Sequence, residues 1–361
     1  STFAMARLSA FLKAYSDSSF TNPHQVALPD SPKDCTGDFT HMGAKYWGFE
    51  SKRHVATSIN PTGDGFAFNA EGHHWFELGL TSRSKVNQLT VSTQWFTGNQ
   101  VPIISALLTD KQTGNTTLAL EKQTLAPDAN HTFDIDPVWA TDCKILCFHE
   151  GGISRVNLYG EEGEARYQQQ NILVNAEISH ISNEHYGRPA DAVIGRREQD
   201  YMFGWESART GFGEHALFKL AEEASVESII VDTYLHRLNP PLSCHIYGAK
   251  LSTQALSQIE NLASSELPGW KIVLPDATEI IPTDFRAYMA DQRYLASGFT
   301  EFEIKLHLPN NQLWKPLVSF GQLHPDTWHE FTEIEETGVV NAIYYMHYPH
   351  GGIHGLKVFG A

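Results

Sequence analysis

Trp47-Gly48-Phe49-Glu50-Ser51-Lys52-Arg53 returns 156 positions later as Phe203-Gly204-Trp205-Glu206-Ser207-Ala208-Arg209, and His149-Glu150-Gly151-Gly152-Ile153 returns near the end as Pro349-His350-Gly351-Gly352-Ile353. Separated motifs written twice in the same order mark a duplicated fold. Val86 to Asn99 lies against Val226 to Asn239 at an offset of 140, and Ser19-Phe20-Thr21-Asn22-Pro23 lies against His185-Tyr186-Gly187-Arg188-Pro189. Pro127-Asp128-x-x-His131-x-Phe133 finds its partner in Pro325-Asp326-x-x-His329-x-Phe331. The second copy therefore carries about 60 extra residues near 250–310, a folded excursion containing strand.

A length of 361 residues exceeds what one hydrophobic core usually serves, which agrees with the duplication. Residues 5–163 form a first repeat, 164–177 a linker and 178–361 a second repeat, with Ser1 to Ala4 set aside as a remnant of expression. Hydrophobic content of 41% against 19% charged residues describes a chain able to bury a sizeable core. The net charge of −16 argues against nucleic acid and anionic membranes, because either polyanion is repelled at long range. It leaves room for a small anion held by a local arginine. No apolar run reaches the roughly 18 residues of a membrane span, and no secretory leader pattern is visible, so the expectation is a cytoplasmic protein; a homo-oligomer acting on a small ureido substrate is expected beside it. Cys35, Cys143, Cys147 and Cys244 match no common zinc spacing and read as buried free thiols.

Short runs such as Trp75-Phe76-Glu77-Leu78, Gln88 to Thr93, Ile103 to Thr109, Lys144 to Phe148 and Val156 to Tyr159 alternate or are apolar, and Gly, Pro, Asn and Asp clusters separate them. That pattern predicts an all-β chain of about eight short strands per half, folded as a sandwich or jelly roll. Glu161 to Asn171, rich in Glu and Gln, reads as the linker and as a candidate short helix.

With these motifs in place, the chain resembles the allantoicase family. The resemblance runs through Gly43 to His54, Gly98-Asn99 and Glu150 to Gly160, then Ser182 to Gly195, Gly204 to Arg209, Ile230 to Thr233, Arg237, Asn239 and Gly351 to Gly360. It implies two tandem galactose-binding-like jelly-roll (β-sandwich) domains and hydrolysis of allantoate to ureidoglycolate and urea in purine breakdown. The second copy departs from the family pattern where Lys52, Glu150 and Arg155 of the first are matched by Ala208, His350 and Gly355. The first copy is thus where the chemistry is expected. A related enzyme on another ureido or guanidino compound, or a non-catalytic carbohydrate-binding tandem, stay open.

Allantoate carries one carboxylate and two ureido groups on one carbon, so its hydrolysis needs a cation for the carboxylate and acid and base groups for the departing nitrogen. Glu50, Arg53, His54, His149 and Glu150 are the catalytic candidates, and Lys52, Asn99, Arg155, Glu206 and Arg209 the substrate-binding candidates. Structural readings compete with these. Glu50-x-x-Arg53 and Glu206-x-x-Arg209 also suit ion pairs that fix a strand, Trp47 and Trp205 suit core packing, and both Gly-Gly pairs suit a tight turn or bulge. Asn99 and Asn239 also suit turn closure. His73-His74 and His347, His350 and His354 invite a metal, yet adjacent strand residues face opposite ways, and the cofactor stays open.

Overall fold

The structure, a computed structural model, describes all residues except 1–4, 19–21, 41–42, 200–201, 282–284, 293–294, 297 and 337. The anchor at Ser19-Phe20-Thr21 therefore lies outside the described residues. The chain divides into two compact units, Ser1–Gln168 and Gln169–Ala361, each built almost wholly of antiparallel strands.

In the first unit seven strands form one sheet around His74–Ser92, a strand of 19 residues. It is flanked by Asn130–Phe148 on one side and by Arg155–Ala165 on the other, with Ala10–Tyr15 paired along its first half. In the second unit Glu214–Asp232, also 19 residues, occupies the same place between Val339–Tyr348 and Gly355–Gly360. Two of the runs expected as separate strands, Trp75 to Leu78 and Gln88 to Thr93, are thus one continuous strand. The polar stretch between them stays in the sheet because Ser84 pairs with Ala140 on one side and Glu162 on the other. Beside it, Arg83 makes two hydrogen bonds to the buried Asp110, at 3.0 and 2.8 Å.

Each unit closes its own core. Phe76, Leu78, Val91, Ile104, Ile145 and Leu158 are fully buried or nearly so in the first, as are Phe218, Ile229, Val231, Ile246, Tyr345 and Val358 in the second. Burial of side chains of this size stabilises by about 1.5–3 kcal/mol each, before the entropic cost of ordering them. The four cysteines are buried free thiols, and burial pushes those of Cys143, Cys147 and Cys244 well up.

The expected helix at Glu161 to Asn171 is absent. Glu161–Ala165 continues the closing strand, with Glu161 opposite Lys85, and Gln170–Asn171 pairs with Phe359 and Gly360 in the second unit. Pairing of a glutamate-rich run with a lysine-bearing neighbour overrides its helix propensity. Between Ser243–Ala249 and Lys315–Gln322 the second unit carries an excursion with a helix at Thr253–Ser257 and a sheet of Glu279–Ile280, Gly269–Val273 and Glu303–His307. No helix among the described residues is long and apolar enough to cross a membrane.

Candidate functional site

The repeated motifs meet in space, once in each unit. Phe49–Glu50 pairs with Gly152–Ile153 and Trp205–Glu206 with Gly352–Ile353, in the same antiparallel register. Ser51 and Ser207 lock the join. The Ser51 N–H donates to Gly151 O at 3.1 Å while its hydroxyl accepts from the Gly151 N–H at 3.1 Å; Ser207 and Gly351 repeat this at 3.0 and 3.1 Å. Asn99 and Asn239, each in a loop, add the third segment of these knots. Each offers its carbonyl to the N–H of Gly152 or Gly352, at 2.8 Å, and its side-chain amide donates to Glu50 Oε1 at 3.1 Å or Glu206 Oε1 at 2.9 Å.

Geometry explains the glycines. Gly151 and Gly351 hold φ values of 129° and 141°, which side chains other than glycine rarely adopt. A Cβ on Gly152 would enter the Phe96 ring, and one on Gly352 would enter the His236 ring. The Gly-Gly pair is therefore one residue of unusual backbone followed by one pressed flat against a ring.

The knots differ in access. Glu50 is buried, its Oε2 has no partner among the described residues, and burial raises its carboxyl above the usual range while Asn99 and the Arg53 charge pull it back. Glu206 is half-buried and lines a cavity of about 260 Å³ with Tyr186, Met202, Phe203, His236 and Asn239. The rim is apolar, since Tyr186, Met202 and Phe203 are 54%, 62% and 51% exposed, and the polar groups lie deeper.

His236 is 1% exposed. Its Nδ1 lies 3.2 Å from Asn239 Oδ1, and its Nε2 has no hydrogen-bond partner among the described residues. The network sets the tautomer. Glu206 accepts from the Asn239 amide nitrogen, so the Asn239 oxygen is turned to His236, and Nδ1 must carry the proton that it donates there. Nε2 is left as a bare acceptor, a buried polar atom whose unmet bond costs about 1–3 kcal/mol. Burial lowers the imidazole from its ordinary value of 6.5, partly offset by Asn239, Glu206 and Asp232 and reinforced by His354.

The residues expected to form a first-unit site scatter over several tasks. The backbone N–H of His54 donates to Glu150 Oε2 at 2.6 Å, with its ring Nδ1 4.0 Å from Glu150 Oε1, so this pair does come together. His149 Nδ1 is 2.7 Å from Gly72 O, and the Lys52 N–H donates to Asp17 Oδ1 at 2.7 Å while its side chain is exposed. Arg53 and Arg209 are exposed, and neither forms an ion pair with its motif glutamate among the described residues. Arg155 is buried and occupied by the backbone carbonyls of Asp30 and Ser154, both at 2.7 Å, and of Trp47. It fastens the start of the closing strand to two loops. Of the two tryptophans, Trp205 is core, whereas Trp47 is half-buried and stacks on Trp95.

No group of three or more metal-binding side chains gathers among the described residues. His73 and His74 separate, with His73 Nδ1 2.8 Å from Glu71 O and His74 Nδ1 2.9 Å from the Ser16 hydroxyl. His354 Nε2 lies 2.7 Å from Arg196 O, and His350 Nδ1 accepts from the Gly211 N–H at 3.0 Å. Sequence reasoning passed over His236, although the offset of 140 sets it against Phe96. An imidazole replacing a phenyl ring at a matched core position was the available signal.

The family model described as the allantoicase repeat matches residues 2–163 and 170–296. The allantoicase of Saccharomyces cerevisiae is 24% identical over 301 residues, covering 76% of this chain and 83% of that protein. A probable allantoicase of Pseudomonas syringae pv. syringae is 26% identical over 289 residues, covering 75% and 82%. The crystal structure of the Saccharomyces cerevisiae allantoicase aligns over 100% of this chain and 94% of that one, at 18% identity and a TM-score of 0.35. Both of its repeats being matched, the chain belongs to the allantoicase repeat family.

Proposed function

We propose that this protein is an allantoate hydrolase, releasing urea and leaving ureidoglycolate, with its site in the cavity of the second unit. The observation that carries this reading is the knot built twice within an allantoicase repeat, the second of which opens, beside Glu206, to a cavity among the described residues. Hydrolysis breaks the bond between the central carbon and one ureido nitrogen, joins water oxygen to that carbon and moves a proton to the departing nitrogen. Ureido groups are rich in N–H donors, and the residues that line the cavity include the acceptor-bearing Glu206, Asn239 and His236. Arg209, exposed and three residues beyond Glu206, is proposed to receive the substrate carboxylate through its planar fork. Four buried free thiols and a net charge of −16 support a reducing, cytoplasmic setting without nucleic acid.

One observation favours a second reading. The described cavity wall holds one carboxylate and no cationic side chain, which suits a neutral or cationic ureido or guanidino compound better than an anion. Urea release by the full chain, measured from allantoate and from an uncharged 1,1-diureidoalkane, separates the two. The first reading expects release from allantoate, a kcat at least about 100-fold lower in Glu206→Gln and a raised KM in Arg209→Ala. Folded protein that releases no urea from allantoate would sink it, and turnover of the uncharged compound alone would select the second.

A further inference from the structure

Two knots with the same backbone differ in one wall. The ring pressed on the second glycine belongs to Phe96 in the first unit and to His236 in the second. A phenyl ring there completes a scaffold, whereas an imidazole adds two nitrogens to it. The second knot adjoins the cavity described above, and the residue that differs is among those that line it.

We propose that His236 is the proton-accepting catalytic residue of the second-unit site, acting through Nε2. The proposal rests on the ureido-hydrolase reading and names its base. Glu206 orients Asn239, Asn239 holds the Nδ1 proton of His236, and Nε2 is left buried with a lone pair and no donor. That order of carboxylate, amide and imidazole fixes ring and tautomer before a ligand arrives. A ureido N–H is the donor that Nε2 lacks.

The chemistry balances without a further reagent. His236 takes the N–H proton of the retained ureido group as the carbon–nitrogen bond to the other ureido group breaks, and that proton passes to the departing nitrogen. Urea leaves and an imine remains. Water then adds across the imine, its oxygen to carbon and one proton to nitrogen, giving ureidoglycolate. For this the ring must be neutral when substrate binds, and burial, with the nearby His354, keeps it so against the pull of Glu206 and Asp232.

The molecule supplies its own test substitution. His236→Phe rebuilds the arrangement that Phe96 already makes against Gly152, so the variant is expected to keep the wild-type melting temperature. Its kcat/KM for urea release from allantoate should fall about 100-fold or more, and the acid limb of the wild-type profile, expected below pH 6.5, should vanish. A folded variant within about threefold of wild type, with the limb intact, overturns the proposal. Nitrogen-15 imidazole spectra of the wild type give a reading independent of turnover. At pH 7 they should show a bare Nε2 that shifts on adding N-carbamoylglycine, assigned by its absence from His236→Phe or, should that variant not fold, from His236→Gln. A protonated Nε2, or no shift at saturating probe, also overturns it. Wild-type protein that shifts with the probe but releases no urea leaves His236 as a ligand acceptor and refutes the hydrolase reading instead.

Discussion

At the residue scale the two copies of the knot were legible as sequence and the chemistry between them was not. Glu50 with Asn99, and Glu206 with Asn239, stand 49 and 33 positions apart, and only the repeat of both made them candidates together. Access separates Glu206 from Glu50, and access depends on what covers each carboxylate rather than on the carboxylate itself. The second glycine of each pair is held by a ring, so Gly152→Ala and Gly352→Ala should each cost about 1–3 kcal/mol in urea denaturation. Unchanged midpoints would show that Phe96 and His236 can step aside. Arg155 has no sequence counterpart at Gly355, yet the second unit keeps a half-buried guanidinium nearby. Arg197, from another part of the chain, makes two hydrogen bonds of 3.0 Å to Asp232, the residue paired with Gly355. Arg197→Met would leave Asp232 buried without its partner, and the expected loss is about 3–5 kcal/mol, read as a lowered melting temperature of the second unit. A loss under about 1 kcal/mol would mean that Arg237 or water takes over.

At the element scale the period-2 pattern found the strands and missed their length. Thr81 to Lys85 reads as a polar break, yet the chain runs straight through, because its neighbours supply partners for both the backbone and Arg83. Such partners come from Asp110, Ala140 and Glu162, and no local window contains them. The excursion of the second unit was visible as an offset, while its attachment was not. Ile272, Leu274 and Tyr288 give it a small core of its own. Trp270 joins it to the sandwich, with ring centroids 4.8 Å from both His245 and Tyr348 and with Gly213 leaving room for the indole. So small a core needs such anchors, which also include Leu251, Ile259 and Leu267 packed with Leu217 and Tyr344 of the sandwich. Trp270→Ala is expected to raise hydrogen exchange in Gly269–Val273 and Glu303–His307 by about 2–3 kcal/mol of lost protection, while Glu214–Asp232 keeps its own. Uniform loss through both would show the excursion to be part of one cooperative unit with the sandwich.

At the scale of the whole molecule, duplication has given two units of one architecture and unlike electrostatics. The second holds more buried neutral imidazoles. Burial lowers His215, His236 and His245, brings His329 down to about 4 and His347 to about 3, whereas in the first unit the histidine so lowered among the described residues is His74. A histidine whose folded pKa lies below its unfolded value binds fewer protons when folded. Its stabilising effect is complete above pH 6.5 and is lost as pH falls toward the folded value. The carboxylates of the first unit work in a lower window. Arg83 holds Asp110 below 3.8, and Lys13 with Arg166 does the same for Asp142 against the effect of burial, so their loss starts only near pH 4. Glu50 and Glu214, both raised by burial, act in the opposite sense, one in each unit, and do not tip the comparison. Between pH 7 and 4.5 the second unit should therefore lose roughly 2 kcal/mol for each of His329 and His347, since a tenfold difference in proton affinity between folded and unfolded chain is worth about 1.4 kcal/mol. Urea denaturation followed by hydrogen exchange in Ser1–Gln168 and Gln169–Ala361 separately measures this. Equal losses in the two units would mean that the buried histidines take up protons without unfolding, through water reaching rings that the fold now seals.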